Sequence, residues 1–324
     1  MADQSLRSAL FNKDKLNSEK FIKSELDNGN LVRALNDLLY ASVSIKNNNK
    51  NLTHPVCVIN SIKNLIGDDR NNPSSKLLKF AVDYIFQFKF RKNNQNLIKE
   101  IRDRGVAKIV FLSDLEDACQ DGDWIVAKTL LTELFIASDQ SRAAFDVLIG
   151  IALQNIPRNG LVSYHILRAL QFQDLKEDCW TYTKSLFEYL KPQKLPKPHL
   201  SKDLMPDSFI DEIIMSGNIL LFSAINRIWM GDYTRKKGYQ REISHWLGEL
   251  SFDSKLGIVS EESNKLKNID SRFFIKSAEK IIFGKDNQFA KAEKLIELEA
   301  IRSIIRHLND YQTSLIAKRY ENLL

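Results

Sequence analysis

The chain has 324 residues, long enough for one large or two modest domains, and its 44% hydrophobic share supplies a sizeable core. Only 12 glycines and 7 prolines exclude a collagen-like or Pro-rich linker chain and argue against a sheet protein built on tight turns, and no apolar run nears the roughly 18–20 residues of a membrane span. The net charge of +6 is a thin excess over this length, so nucleic acid is not the expected partner unless the charge gathers on one face.

Met1-Ala2-Asp3-Gln4-Ser5 has neither a basic start nor an apolar stretch, so no signal peptide is read there, and the Asn51-Leu52-Thr53 sequon is set aside as chance. Leu31, Ala34, Leu35, Leu38 and Leu39 then fall on one helical stripe. The same spacing recurs at Leu77 to Phe86, Ala127 to Phe135, Ala144 to Ala152 and Ile219 to Trp229, and again from Ala292 through Leu308. Lys108 to Leu112 is β-prone but short and without an obvious partner. The expected fold class is all-α, helical hairpins packed as a bundle.

Breaks are expected where turn-forming residues collect: Lys46 to Asn51, Gly67 to Ser75 and Asn155 to Gly160 with Pro157. The clearest runs from Lys191 to Pro206. Its four prolines each lack an amide donor and clash with the preceding turn, so no helix continues through it. This stretch, 191–206, is read as the connection between a unit over 1–190 and a C-terminal helical unit over 207–324.

Within the first unit, about 20–90 and 113–190 look like two copies. Asp27-Asn28-Gly29-Asn30-Leu31-Val32-Arg33-Ala34 resembles Gln120-Asp121-Gly122-Asp123-Trp124-Ile125-Val126-Ala127, and each leads into a leucine-rich helix. Each copy continues to a histidine expected to open a further helix, His54 and His165, then to an aromatic-rich helix. An inserted helix around Ser141 to Gln154 accounts for the unequal spacing. Weaker echoes of the start occur at Gly217-Asn218 and Asp286-Asn287. Physically, the Asn or Asp caps the helix and the Gly permits the reversal, a pattern common to helical-hairpin repeats.

Phosphate loops, dinucleotide fingerprints, nucleophile elbows and His-Glu-x-x-His are all missing from the sequence. Cys57, Cys119 and Cys179 are single, distant and odd in number, which fits buried thiols in a reducing, cytoplasmic setting rather than a disulfide or Cys-x-x-Cys site. Among five histidines, His54 and His165 occupy matched places. Facing each other across a pseudo-twofold axis, they could ligate a metal or haem, or one could act as a base. Tyr164 as hydrogen-bond donor, with Cys57 and Trp180 on the substrate side, could line the same space. The plainer alternative is that each histidine caps a helix or bonds nearby backbone. His245, before Trp246, reads as packed interior, His307 as a favourable charge near a helix C-terminus. Locally basic stretches at Lys89 to Lys108 and Arg227 to Arg241 are either solvated faces or a phosphate-binding surface.

The order Gly122-Asp123-Trp124 with Ala127, a helix, then His165 heading an Ala/Leu-rich helix resembles the all-helical questin-oxidase-like proteins. It is also similar to helical regions fused to Rieske iron–sulfur modules, over roughly residues 20–190. The resemblance implies an oxidoreductase scaffold with His54 and His165 facing a cavity, although no Cys-x-His or Cys-x-x-His pair is present to hold a Rieske cluster. The cofactor is left unspecified. The expected function is binding of a small apolar molecule between the duplicated halves, with its oxidation as the activity the resemblance implies. The alternative is a non-enzymatic helical repeat that docks a protein partner, using Arg235, Lys236 and Lys237.

Overall fold

The computed structural model describes residues 5–46, 52–92, 95–106, 109–216, 218–250, 265–266 and 269–324. Most of the Asn-rich break with Asn51 of the sequon, Lys108 of the β-prone run, Gly217 of the third echo and the first four residues lie outside them. Among the described residues there are seventeen α-helices and one two-stranded ribbon. In chain order these are α1 (Leu6–Phe11), α2 (Lys15–Asp27), α3 (Leu31–Val43), β1 (Ile45–Lys46), α4 (Pro55–Ile66), α5 (Ser75–Ile85), β2 (Lys89–Phe90), α6 (Asn96–Arg104), α7 (Leu112–Gln120), α8 (Trp124–Ala137) and α9 (Ala143–Leu153). The second half comprises α10 (Ile156–Phe172), α11 (Cys179–Leu190), α12 (Ile210–Ser216), α13 (Ile219–Met230), α14 (Lys236–Glu249), α15 (Phe273–Phe283), α16 (Gln288–Ile304) and α17 (Asp310–Leu323). The all-α bundle expected from periodicity is what forms, because those stripes are the faces that pack. Ala34, Leu35, Leu38 and Leu39 of α3 are buried, as are Ala144, Val147, Leu148, Ile151 and Ala152 of α9.

Four helices make the centre: α4 packs on α10 and α16, and α13 packs on the same two from the other side. α3, α5 and α15 cover α4, while α9, α11 and α14 cover α10. Helices from both sides of the 191–206 connection thus contribute to one hydrophobic cluster. Gly160 lets α10 and α13 close on each other. A Cβ there would lie 2.9 Å from side-chain atoms of both Leu221 and Ile225. No described helix is long and apolar enough to cross a membrane.

The two Gly turns share a backbone conformation but not a cap, since Asp123 accepts the Val126 amide whereas Asn30 makes no side-chain cap bond. Gly29 and Gly122 adopt φ of +74° and +76°, a left-handed conformation that glycine reaches without steric cost. Each ends one helix and starts the next, α2 to α3 and α7 to α8. The stretch Ser141 to Gln154, expected to be helical, does hold a helix, α9.

Three local expectations need correction. The break at Asn155 to Gly160 is confined to a single turn around Asn155, because Pro157 lies in the first turn of α10, where a missing amide costs nothing. In consequence His165 does not open a helix but lies well inside α10, whereas His54 does open α4. The β-prone segment forms no strand over its described part: Ile109 to Phe111 is irregular and Leu112 begins α7. The pairing that does form, Ile45 with Phe90 and Lys46 with Lys89, is antiparallel and carries no periodicity signal at two residues per strand.

Candidate functional site

His54 is the N-cap of α4, followed by Pro55 at the first helical position. Its Nδ1 accepts the Val56 amide at 3.2 Å, so the neutral ring carries its proton on Nε2. Burial, seconded by the nearby Arg91 guanidinium, lowers its pKa to about 3, and the ring is neutral at physiological pH. Only 4% of the residue is exposed, and what is exposed faces a cleft of about 640 Å³. Tyr189 meets the imidazole edge-on, the ring centres 6.2 Å apart.

The cleft lies where the starts of α4, α10 and α13 converge on the end of α11. Leu161, Val162, Leu220 and Leu221 supply its apolar wall, Arg158 and Glu188 its charges. Gln193 stands on the rim side after α11, 5% exposed, its Nε2 donating to the Tyr189 carbonyl at 3.1 Å and its Oε1 buried without a partner among the described residues. The Tyr189 hydroxyl donates to the Arg158 carbonyl at 3.1 Å, which ties the end of α11 to the start of α10.

His165 occupies a different environment. It is fully buried, and its Nδ1 lies 2.9 Å from Asn60 Nδ2 of α4, while its Nε2 and Asn60 Oδ1 have no partner among the described residues. Burial again lowers the pKa to about 3; Glu299 opposes the shift and Arg227 adds to it. The Tyr164 ring meets the imidazole at 4.9 Å and has the Arg227 guanidinium stacked over it at 4.0 Å. Arg227 in turn forms a two-pronged pair with Glu299 at 2.6 and 2.9 Å, and Asn64 donates to the same carboxylate at 2.9 Å. Desolvation alone would raise the Glu299 pKa, but Arg227 overrides it and holds the carboxyl below its ordinary value. These contacts join all four central helices through polar groups.

The expected pair of imidazoles therefore splits. Asn60, the partner of His165, lies six residues beyond His54 along α4, about 9 Å at 1.5 Å per residue. A shared metal needs both nitrogens within ~2 Å of one point, which this separation does not provide. Among the described residues no group of three or more His, Cys, Asp or Glu side chains is arranged to hold a metal ion. The lining of the cleft includes neither His165, Tyr164, Cys57 nor Trp180. Cys57 is sealed in the core, where burial raises its thiol pKa, and Trp180 packs on Phe135 and borders a separate hollow beside Lys184 and Phe187. All three cysteines are free and buried.

Arg158, Glu188, Tyr189 and Gln193 escape a reading by periodicity, since nothing in their spacing sets them apart. Asn60 carried a usable signal, a lone amide in the apolar run Val56-Cys57-Val58-Ile59-Asn60. The arginines of the basic stretches are largely engaged within the fold. Arg235 pairs with Glu116 at 2.6 Å, Arg241 with Glu242 at 2.7 Å, Arg104 with Glu133 at 3.1 Å, and Arg91 donates to the Val43 and Thr181 carbonyls. His245 is half-buried and stacks on His199 at 4.0 Å, and His199 Nδ1 lies 2.8 Å from Glu242. That contact fastens the proline-rich connection to α14, a role the sequence did not suggest for His199.

In comparisons with protein-family models, curated proteins and solved structures, nothing matches this chain.

Proposed function

We propose that this protein binds a small, partly apolar molecule in the cleft at the start of α4. One observation carries the reading: a buried imidazole whose Nε2–H has no protein acceptor among the described residues opens onto a hollow of ligand size. Pockets for small molecules run from ~300 to 1,000 Å³, and this cleft falls in that range with its lining divided evenly between apolar residues and polar ones. A neutral imidazole suits hydrogen-bond donation better than proton removal, because its basicity is depressed. An oxidoreductase built on this scaffold would use His54 to orient or polarise a substrate oxygen, with Tyr189 beside it, rather than a paired-histidine centre.

A thermal-shift panel of small alcohols, ketones and carboxylates, run on the wild type and on Asn218→Trp, tests the reading. Asn218 is exposed at the cleft mouth, so the substitution narrows the cleft without touching the core. At least one compound should raise the wild-type melting temperature and leave the variant unmoved. Compounds that stabilise both proteins alike, or none that stabilises either, would place binding elsewhere or nowhere.

A further inference from the structure

Resting on the cleft as a binding site, we infer that its ligand is an amphiphilic anion, with a carboxylate held between His54 and the starts of α10 and α13 and its apolar body against the aliphatic side chains of those two helices. α4, α10 and α13 all begin at the cleft, but Pro55 has no amide and His54 takes those of Val56 and Cys57, so the starts of α10 and α13 supply the free partial positive charge, against the half-negative end of α11. The asparagines that precede α10 and α13, Asn155 and Asn218, make no side-chain cap bond. The first-turn amides of these two helices therefore keep their donor capacity, among them those of Arg158, Leu220 and Leu221. The buried His54 adds an independent donor: its Nδ1 is taken by Val56, so only Nε2–H is left to face the cleft. Arg158 makes no ion pair among the described residues and lines the same cleft.

The charges add to the same sign. Arg158 balances Glu188, the helix ends leave a positive remainder, and Arg91 lies near enough to act on the His54 ring. A cationic head would meet this field unfavourably and would find His54 offering a proton instead of a lone pair. The side chains of Leu161, Val162, Leu220 and Leu221 are all apolar, so the part of the ligand that lies against them is hydrocarbon.

Calorimetric titration with octanoate, 1-octanol and octylamine separates head-group recognition from simple apolar filling. Octanoate should bind at least about ten-fold more tightly than 1-octanol, with octylamine weakest, and the octanoate advantage should shrink as salt rises. Arg158→Gln, an exposed change, should remove most of that advantage and leave 1-octanol unaffected. His54→Phe, which keeps the ring volume and loses the donor, should act in the same direction. If all three probes bind equally and all are lost in Asn218→Trp, the cleft stands as a binding site and the anion inference falls. If none of the three binds, the anion inference falls as well, and the cleft is then judged by the wider compound panel alone.

Discussion

His54 and His165 are the same residue type, both buried, both neutral with a pKa near 3, and both in contact with α4, yet their surroundings assign them different work. His54 stands at the N-cap of α4, beside the cleft formed by the starts of α10 and α13 and the end of α11, with its Nε2–H left without a protein acceptor among the described residues. His165 stands mid-helix, closed in by Asn60 and Tyr164 and backed by the Arg227–Glu299 pair. Burial depresses basicity equally in both places. Whether a buried polar atom becomes a recognition group or a packing element depends on whether a hollow lies beside it.

The contrast is broken most severely by removing the charge that supports the closed region. Glu299→Gln leaves the part-buried Arg227 guanidinium without its buried carboxylate, and a loss of about 3–5 kcal/mol of stability is expected by denaturant unfolding. A loss under 1 kcal/mol would mean that water reaches this network.

The two histidines themselves should then diverge. His165→Ala opens a cavity among packed side chains and strands Asn60, at an expected cost of about 3 kcal/mol. His54→Ala loses one cap bond beside a cleft that water can fill, at about 1 kcal/mol. Equal costs in equilibrium unfolding would erase the distinction between the two sites.

Acid should weaken the fold through both rings alike. Each imidazole protonates near 6.5 when unfolded and near 3 when folded, so between those values the unfolded chain binds more protons. The contribution of each is fully present above pH 6.5 and is lost as pH falls toward 3, by about 1 kcal/mol per pH unit per ring. Denaturant midpoints measured from pH 7 to 5 should show this slope, and His54→Phe should remove about half of the histidine share.

The smallest effect concerns the matched turns. Gly29→Ala and Gly122→Ala each place a side chain at positive φ with no other neighbour in contact, so each should cost about 1 kcal/mol and by similar amounts. Unequal shifts in melting temperature would show that the two turns are alike in sequence more than in structural burden.

The sequence on its own determined the all-α class, the helical stripes, the two glycine turns, the presence of helix α9 and the helix-opening role of His54. Each of these depends on neighbours within a few residues, where 3.6-residue periodicity, caps and left-handed glycines act. It misplaced His165 at a helix start because Pro157 reads as a breaker in isolation, while at a first turn it is tolerated. Only tertiary structure decided which polar residues meet. Asn60 and His165, or Arg227 and Glu299, come together because α4, α10, α13 and α16 share one centre, and no local pattern encodes that distance. The cleft itself is a property of converging helix ends, set by how closely α10 and α13 approach at Gly160 and by where α11 stops. Those are consequences of packing, and packing is summed over the whole chain.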